Sequence, residues 1–271
     1  MNFGIYNSIN MKTFKIVLLL LLIFMGQSCN RYNSLHKKEW TVVWQPSHQT
    51  DTGKDFSEAA TCNGIVMAAM ATEPSLKEYK VWSLGKEQYH HADSGSNTKI
   101  LHTTAVIDGK ISGYAYELKQ SNKKDPFVFI AVHNNGGTRR HAMWGYIHYG
   151  DKYETDNREL AGRLVKAVCS VTSLENRGVL LDSTTGRNDY RCSVTGKLSF
   201  YSLDENVNTA PYRVLLEIGD NAASHEFLLN PANQQIIGEA IKKEVVAWLK
   251  EKATQMSRNN KYFINQKVNP L

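Results

Sequence analysis

A Cys-x-x-Cys pair occurs nowhere in this 271-residue chain, which removes the commonest thiolate zinc patterns. No stripe of Lys and Arg with interleaved aromatics is present either, so nucleic acid is excluded as the expected partner. The longest apolar run, Ile16 to Met25, is ten residues. A membrane-spanning helix needs roughly 20, so a permanent transmembrane segment is excluded. There is no internal repeat and no Pro- or Ser-rich linker that would divide the chain. What remains is ordinary for a globular protein: 42% apolar and 21% charged residues, enough for one sizeable α/β domain.

The short apolar run has its own meaning. Lys12 and Lys15 precede it, and the small or polar Gly26, Gln27 and Ser28 follow it; this is the plan of a secretion signal over residues 1 to 28. Met11 directly precedes the lysines and is an alternative start. Gly26-Gln27-Ser28-Cys29 resembles a bacterial lipoprotein box, in which Cys29 is lipidated and becomes the new N-terminus, with residues 29 to 39 as a polar tether. An ordinary cleaved signal is the plainer alternative. Either way the protein is expected to be exported, to the periplasmic side of the cell envelope if the lipid holds it to a membrane. Loss of the two lysines lowers the net charge from +6 to +4, which is mild. Export permits a disulfide among Cys62, Cys169 and Cys192, and Cys169 with Cys192 is the preferred pair.

From Trp40 onward short β-rich runs alternate with amphipathic patterns. This predicts a single α/β domain over residues 40 to 252: a mostly parallel central sheet with helices on both faces, three-layered and phosphorylase/hydrolase-like. Strands are expected at Trp40 to Gln45, Lys80 to Ser83, Phe127 to Val132, Trp144 to Tyr149 as the neighbour of the preceding strand, and Val214 to Ile218. Helices are expected at Ser57 to Thr72, within Asn97 to Ile107, at Asn157 to Thr172, and from Asn230-Pro231, where Asn caps and Pro opens the helix. Residues 173 to 209 carry little signal, and residues 253 to 271 read as a polar tail that frays.

Three candidate ligands or acids stand at strand ends: His48, His133 and Glu217. Open α/β sheets form sites at the carboxyl ends of their strands. Glu58, at the start of a helix, could turn to the same rim. Two His and one carboxylate recur as a catalytic zinc set. Each residue has a plainer reading beside this one. Asp55 and Glu58 have capping-box spacing, His48 suits a turn, His133 a strand end, and Glu217 a surface. His90 and His91, being adjacent, point apart in a strand. His141 and His148 flank Trp144 at a possible groove, while Trp144 and Tyr146 read as core or rim packing. Arg139 and Arg140 suit carboxylates or a solvated basic loop.

Between Trp40 and Lys252 the order of segments resembles the zinc-dependent N-acetylmuramoyl-L-alanine amidases of the type-3 amidase family. Three stretches carry this: Val42-Val43-Trp44-Gln45-Pro46-Ser47-His48 with Ser57-Glu58-Ala59-Ala60; Phe129-Ile130-Ala131-Val132-His133-Asn134-Asn135 with Gly145-Tyr146-Ile147-His148-Tyr149; and Val214-Leu215-Leu216-Glu217-Ile218-Gly219 with Glu226-Phe227-Leu228-Leu229. The resemblance implies that His48, Glu58 and His133 hold Zn²⁺ and that Glu217 is the general base. It also implies that Asn135 orients His133 or substrate, with Arg139 and Arg140 facing stem-peptide carboxylates. Peptidoglycan would be the substrate of a monomeric enzyme. The chain departs from the family at Ser47-His48-Gln49-Thr50, where a Gly-His-Gly-Gly turn is common, and at Asp220, where an aromatic is usual. The altered turn motivates an alternative, a non-catalytic peptidoglycan-binding lipoprotein with an amidase-like fold. A zinc peptidase acting within the stem is another.

Overall fold

The computed structural model describes residues 40–49, 52–82, 106–107, 110–111, 113–185 and 190–268. The chain divides after Glu39, and the unit from Trp40 onward holds all of them. Cys29, His90 and His91 lie outside the described residues. None of the described helices is long and apolar enough to cross a membrane.

Among the described residues eight strands and five α-helices follow in order: β1 Thr41–Pro46, α1 Glu58–Ala71, β2 Lys77–Lys80, β3 Val106–Ile107, β4 Lys110–Ile111, α2 Gly113–Asn122, β5 Val128–Asn135, β6 Ala142–Ile147, α3 Glu154–Val171, β7 Glu175–Leu181, β8 Tyr212–Asp220, α4 His225–Leu229 and α5 Pro231–Val268. Six strands make one sheet in the order β2-β1-β5-β8-β6-β7. Every pairing in it is parallel except β6 with β8. The mostly parallel sheet expected from sequence is therefore present. The place of β6 is different: β8 lies between β5 and β6, and β6 runs against β8.

Alternation along the strands divides their side chains between two cores. Val42, Trp44, Ile130, Val132, Val214 and Leu216 pack under α1, α3 and α5. Val43, Phe129, Ala131 and Leu215 face the other way, toward Leu118 of α2 and an irregular segment containing Phe200 and Leu203. Helices thus lie on both faces, but the first face is thickly covered and the second thinly. On the thick face α5 approaches α1 closely at Gly238. A Cβ there would lie 2.5 Å from the Ile65 carbonyl oxygen. A buried ion pair, Lys242 Nζ to Glu78 Oε2 at 2.7 Å, ties α5 to β2, and Glu78 also accepts from Trp44 Nε1.

Several expectations are corrected. Of the helix expected over residues 97 to 107, only Val106 and Ile107 are described, and they pair with Ile111 and Lys110 as strands. The polar stretch after Lys252 continues as helix to Val268 rather than fraying from that point, and Met256 packs against the core. Cys62, Cys169 and Cys192 are all free: the preferred Cys169 to Cys192 bridge is not formed. Strand β7 emerges from the stretch of weak signal because it is an edge strand. Its exposed Glu175, Asn176 and Arg177 and its Gly178 hide the apolar half, as edges commonly do.

Candidate metal centre and cleft

Parallel register brings the candidate residues to one rim. Pro46 pairs with Val132 and His133 with Glu217, while Ser47 N donates to Val132 O at 2.9 Å. The carboxyl ends of three adjacent strands therefore meet where His48, His133 and Glu217 stand, as expected for an open α/β sheet. By alternation with Phe129, Ala131 and Leu215, the side chains of His133 and Glu217 lie on the thinly covered face. The register of β5 and β8 slips between His133 and Asn135, a bulge at the site of the kind that re-aims side chains. Gly219 supplies its left-handed backbone, with φ +69°, and a Cβ there would meet Ser224 Cβ at 2.9 Å.

Glu58 reaches this rim from α1. The helix is capped by Ser57, whose Oγ accepts from Ala60 N, and Thr52 Oγ1 accepts from Glu58 N. Asp55 lies before the helix and does not cap it, so the Asp55 to Glu58 capping box is not formed. The Glu58 carboxylate is left for another task. Its Oε1 lies 3.0 Å from His133 Nδ1.

That contact is close without being a hydrogen bond. Glu58 Oε1 and His133 Nε2 are both buried with no hydrogen-bond partner, a state that costs roughly 1–3 kcal/mol per group. A cation shared between the two side chains would remove that cost, and an imidazole pair with a carboxylate is a donor set suited to catalytic zinc. Glu58 and His133 therefore suit the ion that the resemblance implies, whereas among the described residues His48 is not brought within 4.8 Å of both as a third ligand.

His48, the third donor that the resemblance implies, is fully buried. Its Nδ1 stands 3.1 Å from Glu117 Oε1, and Glu117 Oε2 accepts from Gln45 Nε2 at 2.6 Å. A proton on Nδ1 shared with Glu117 would leave Nε2 as the nitrogen available to a metal, the arrangement in which an outer carboxylate orients a ligand imidazole. The ring of Tyr114 packs against both histidines, with centroids 4.2 Å from His48 and 6.1 Å from His133. Glu117 escapes a reading of strand ends because it sits on α2. Its signal is the spacing of buried Tyr114, Glu117, Leu118 and Ser121, at i, i+3, i+4 and i+7.

Asn134 is a second residue that sequence reasoning passed over in favour of its neighbour. It accepts from Thr61 Oγ1 and Cys62 Sγ of α1, and donates to Ile218 O of β8 at 2.7 Å. One amide thereby joins the helix carrying Glu58, the strand carrying His133 and the strand carrying Glu217. Burial pushes the Cys62 thiol well above its usual pKa, with the charges of Glu58 and Glu217 adding to the effect. Cys62 is thus an inert packing residue.

The rim opens into a cleft of about 620 Å³, whose walls include Glu58, His133, Glu217, Asn135, Tyr146 and Phe200. Asn135 is therefore placed on the cleft wall. Arg139 and Arg140 are exposed in the loop after it, beyond the Gly136-Gly137-Thr138 segment that lines the cleft. Neither His141 nor His148 lines it: His141 bonds Ser224 and Ser173, and His148 is buried against Asp182. Trp144 packs in the core of the thin face.

Both departures from the family pattern have structural substitutes. In place of a glycine turn, Ser47 Oγ accepts from Gln49 N, and Gln49 O accepts from Ala59 N. Asp220 accepts from Thr138 Oγ1 and from the backbone N–H of Arg139, Ala222 and Ala223. Burial raises the Asp220 pKa, but these hydrogen bonds outweigh it and hold the carboxyl below its usual range.

No protein-family model matches the chain, and no curated protein matches it by sequence. Solved structures do match. N-acetylmuramoyl-L-alanine amidase AmiC2 of Nostoc punctiforme is 15% identical with a TM-score of 0.54, covering 79% of this chain and 98% of its own. The catalytic domain of the amidase CwlV from Bacillus (Paenibacillus) polymyxa var. colistinus is 16% identical, with a TM-score of 0.51 over 78% of this chain and 98% of its own. The amidase Ami1 of Mycobacterium abscessus is 13% identical, with a TM-score of 0.53 and the same coverage of 78% and 98%. The six-stranded sheet with its helices, ending in a rim of paired histidine and glutamate, has the fold of the N-acetylmuramoyl-L-alanine amidases.

Proposed function

We propose that this protein is a zinc-dependent N-acetylmuramoyl-L-alanine amidase of the cell envelope, exported and held to a membrane by a lipid on Cys29. The observation that carries the reading is the Glu58 and His133 pair, in contact without a hydrogen bond at the wall of a cleft that Glu217 also lines. The amidase fold of AmiC2 and CwlV supports it.

His48, Glu58 and His133 would hold the ion. Zinc there supplies a Lewis acid for the scissile carbonyl and for the attacking water. Glu217, paired in register with His133, takes a proton from that water as general base. It returns the proton to the departing amine of L-alanine as the C–N bond breaks, and the lactyl carbonyl of N-acetylmuramic acid becomes a carboxylate. Glu117 keeps His48 in one tautomer. Tyr146 and Phe200 offer the substrate an apolar wall, and Asn135 with Thr138 a polar one.

Digestion of peptidoglycan by the purified protein, followed by product mass, tests this. Intact stem peptides beginning with L-alanine, together with glycans bearing free lactyl carboxylates, are expected, with turnover stopped by a chelator and restored by zinc. Fragments cut within the stem would make the protein a peptidase. Binding without release would make it a non-catalytic wall-binding lipoprotein.

A further inference from the structure

Away from the cleft, a second histidine is surrounded by metal-ligating chemistry. His148 follows β6, and Cys192 and Asp204 come from the irregular segment between β7 and β8. One ligand atom from each lies within 4.8 Å of the others, and all three residues are buried. We propose that His148, Cys192 and Asp204 form a second metal site, a structural one that takes zinc and fixes one wall of the cleft.

The imidazole is oriented for this. Its Nδ1 lies 2.7 Å from Asp182 Oδ2 and 2.9 Å from Ser199 Oγ, so Nε2 is the nitrogen left for a metal, the same outer-carboxylate device seen at other histidine ligands. Asp204 is held as firmly. Its Oδ2 accepts from Tyr190 OH at 2.6 Å, and its Oδ1 accepts from Asn206 N and Nδ2.

Charge and ligand type point the same way. Two carboxylates and an ionisable thiol gather around one imidazole, and among the described residues no lysine or arginine pairs with either carboxylate. A buried group of that sign favours a positive charge among its members, which a metal ion would supply. A thiol is a weak hydrogen-bond donor and a weak acceptor, so Cys192 is a poor choice for a purely hydrogen-bonded network. Nitrogen, sulfur and oxygen donors together suit zinc. Tetrahedral zinc sets its ligand atoms about 3.3–3.8 Å apart, which needs only small side-chain adjustments from the spacing present. Three protein donors leave one position for water.

The site has a use for such a staple. Between Tyr190 and Leu203 the chain has one isolated bridge, Arg191 with Leu198, one short 3₁₀ turn and a few turn hydrogen bonds, but no strand or longer helix. Asp182 also accepts from Phe200 N at 3.2 Å and from Tyr149 N, and Phe200 is a cleft wall residue. A metal on His148 would fix the same loop that positions Phe200.

Metal content of the purified full chain, loaded with zinc and desalted, is the test, and it does not depend on the activity proposed above. Two equivalents are expected, falling to one in Cys192→Ser and to one in His133→Ala. With cobalt in place of zinc, a thiolate-to-cobalt charge-transfer band in the near ultraviolet is expected in the wild type, in His133→Ala and in Cys62→Ser, but not in Cys192→Ser. His148→Ala serves if Cys192→Ser does not fold. One equivalent that His133→Ala abolishes, with no thiolate band, would overturn the second site while leaving the first intact. Loss of the His133 equivalent alone from the expectation, with the Cys192 band present, would overturn the first and leave the second.

Discussion

Two histidine centres in this protein are built on the same plan and set in opposite surroundings. At the rim, a carboxylate, Glu117, fixes the Nδ1 side of His48; away from it, Asp182 fixes the Nδ1 side of His148. Glu58 and His133 of the first centre border a cleft of about 620 Å³, whereas every donor of the second is enclosed. A set beside a cleft can admit substrate at its remaining position, whereas an enclosed one has room there for no more than water. The lesson is that an oriented imidazole does not by itself mark catalysis; access does. Burial works against a proton on His148, yet the hydrogen bond and charge of Asp182, with Cys192 and Asp204, push its pKa up to about 9. The enclosed centre therefore favours positive charge even without an ion.

The largest separation of the two centres should come from Glu217→Gln. Removing a general base costs about 10²–10⁴-fold in turnover, and zinc content and thermal midpoint are expected to stay at wild-type values. Retained turnover would take the proton-transfer role away from Glu217. Next in size is a matched pair. Glu117→Gln is expected to weaken metal binding at the first centre about 10–100-fold, read by chelator competition, with little change in thermal midpoint. Asp182→Asn should do the reverse, lowering stability by about 1–3 kcal/mol and raising KM through Phe200. Equal effects of both substitutions on stability would erase the distinction between the centres.

The smallest effect concerns a carboxylate with no imidazole partner. Because the folded pKa of Asp220 is depressed, its contribution is present above the unfolded value of about 3.9 and is lost as pH falls through the folded value. Asp220→Asn should thus cost about 1 kcal/mol at neutral pH, with the gap to wild type closing below pH about 4 in acid denaturation. A gap independent of pH would mean that the loop is held by shape alone.

The first centre was legible in the sequence because its residues end apolar strands: Ala131-Val132-His133 and Leu215-Leu216-Glu217 announce both the strand and its end. Glu58 was ambiguous, since acids at a helix start have a local use; the structure gives the cap to Ser57 and turns Glu58 toward His133. Glu117, Asp182 and Asn134 were not legible for different reasons. Glu117 lies on a ten-residue helix of mostly polar sequence. Asp182 follows an edge strand whose charged half conceals it. Asn134 shares its strand with the more conspicuous His133 and Asn135, and its partners are 72 to 84 residues distant. The placement of β6 escaped because sequence order suggests adjacency, while β8 inserts between β5 and β6.

The Asn134 amide carries a further meaning for how the site is assembled. From its place on β5 it bonds both α1 and β8, and so ties together the elements that carry Glu58, His133 and Glu217. A site assembled in advance spends little of its binding energy on ordering the chain. An ion would then meet a frame that is already folded, so that metal supply rather than folding would set when the proposed site fills.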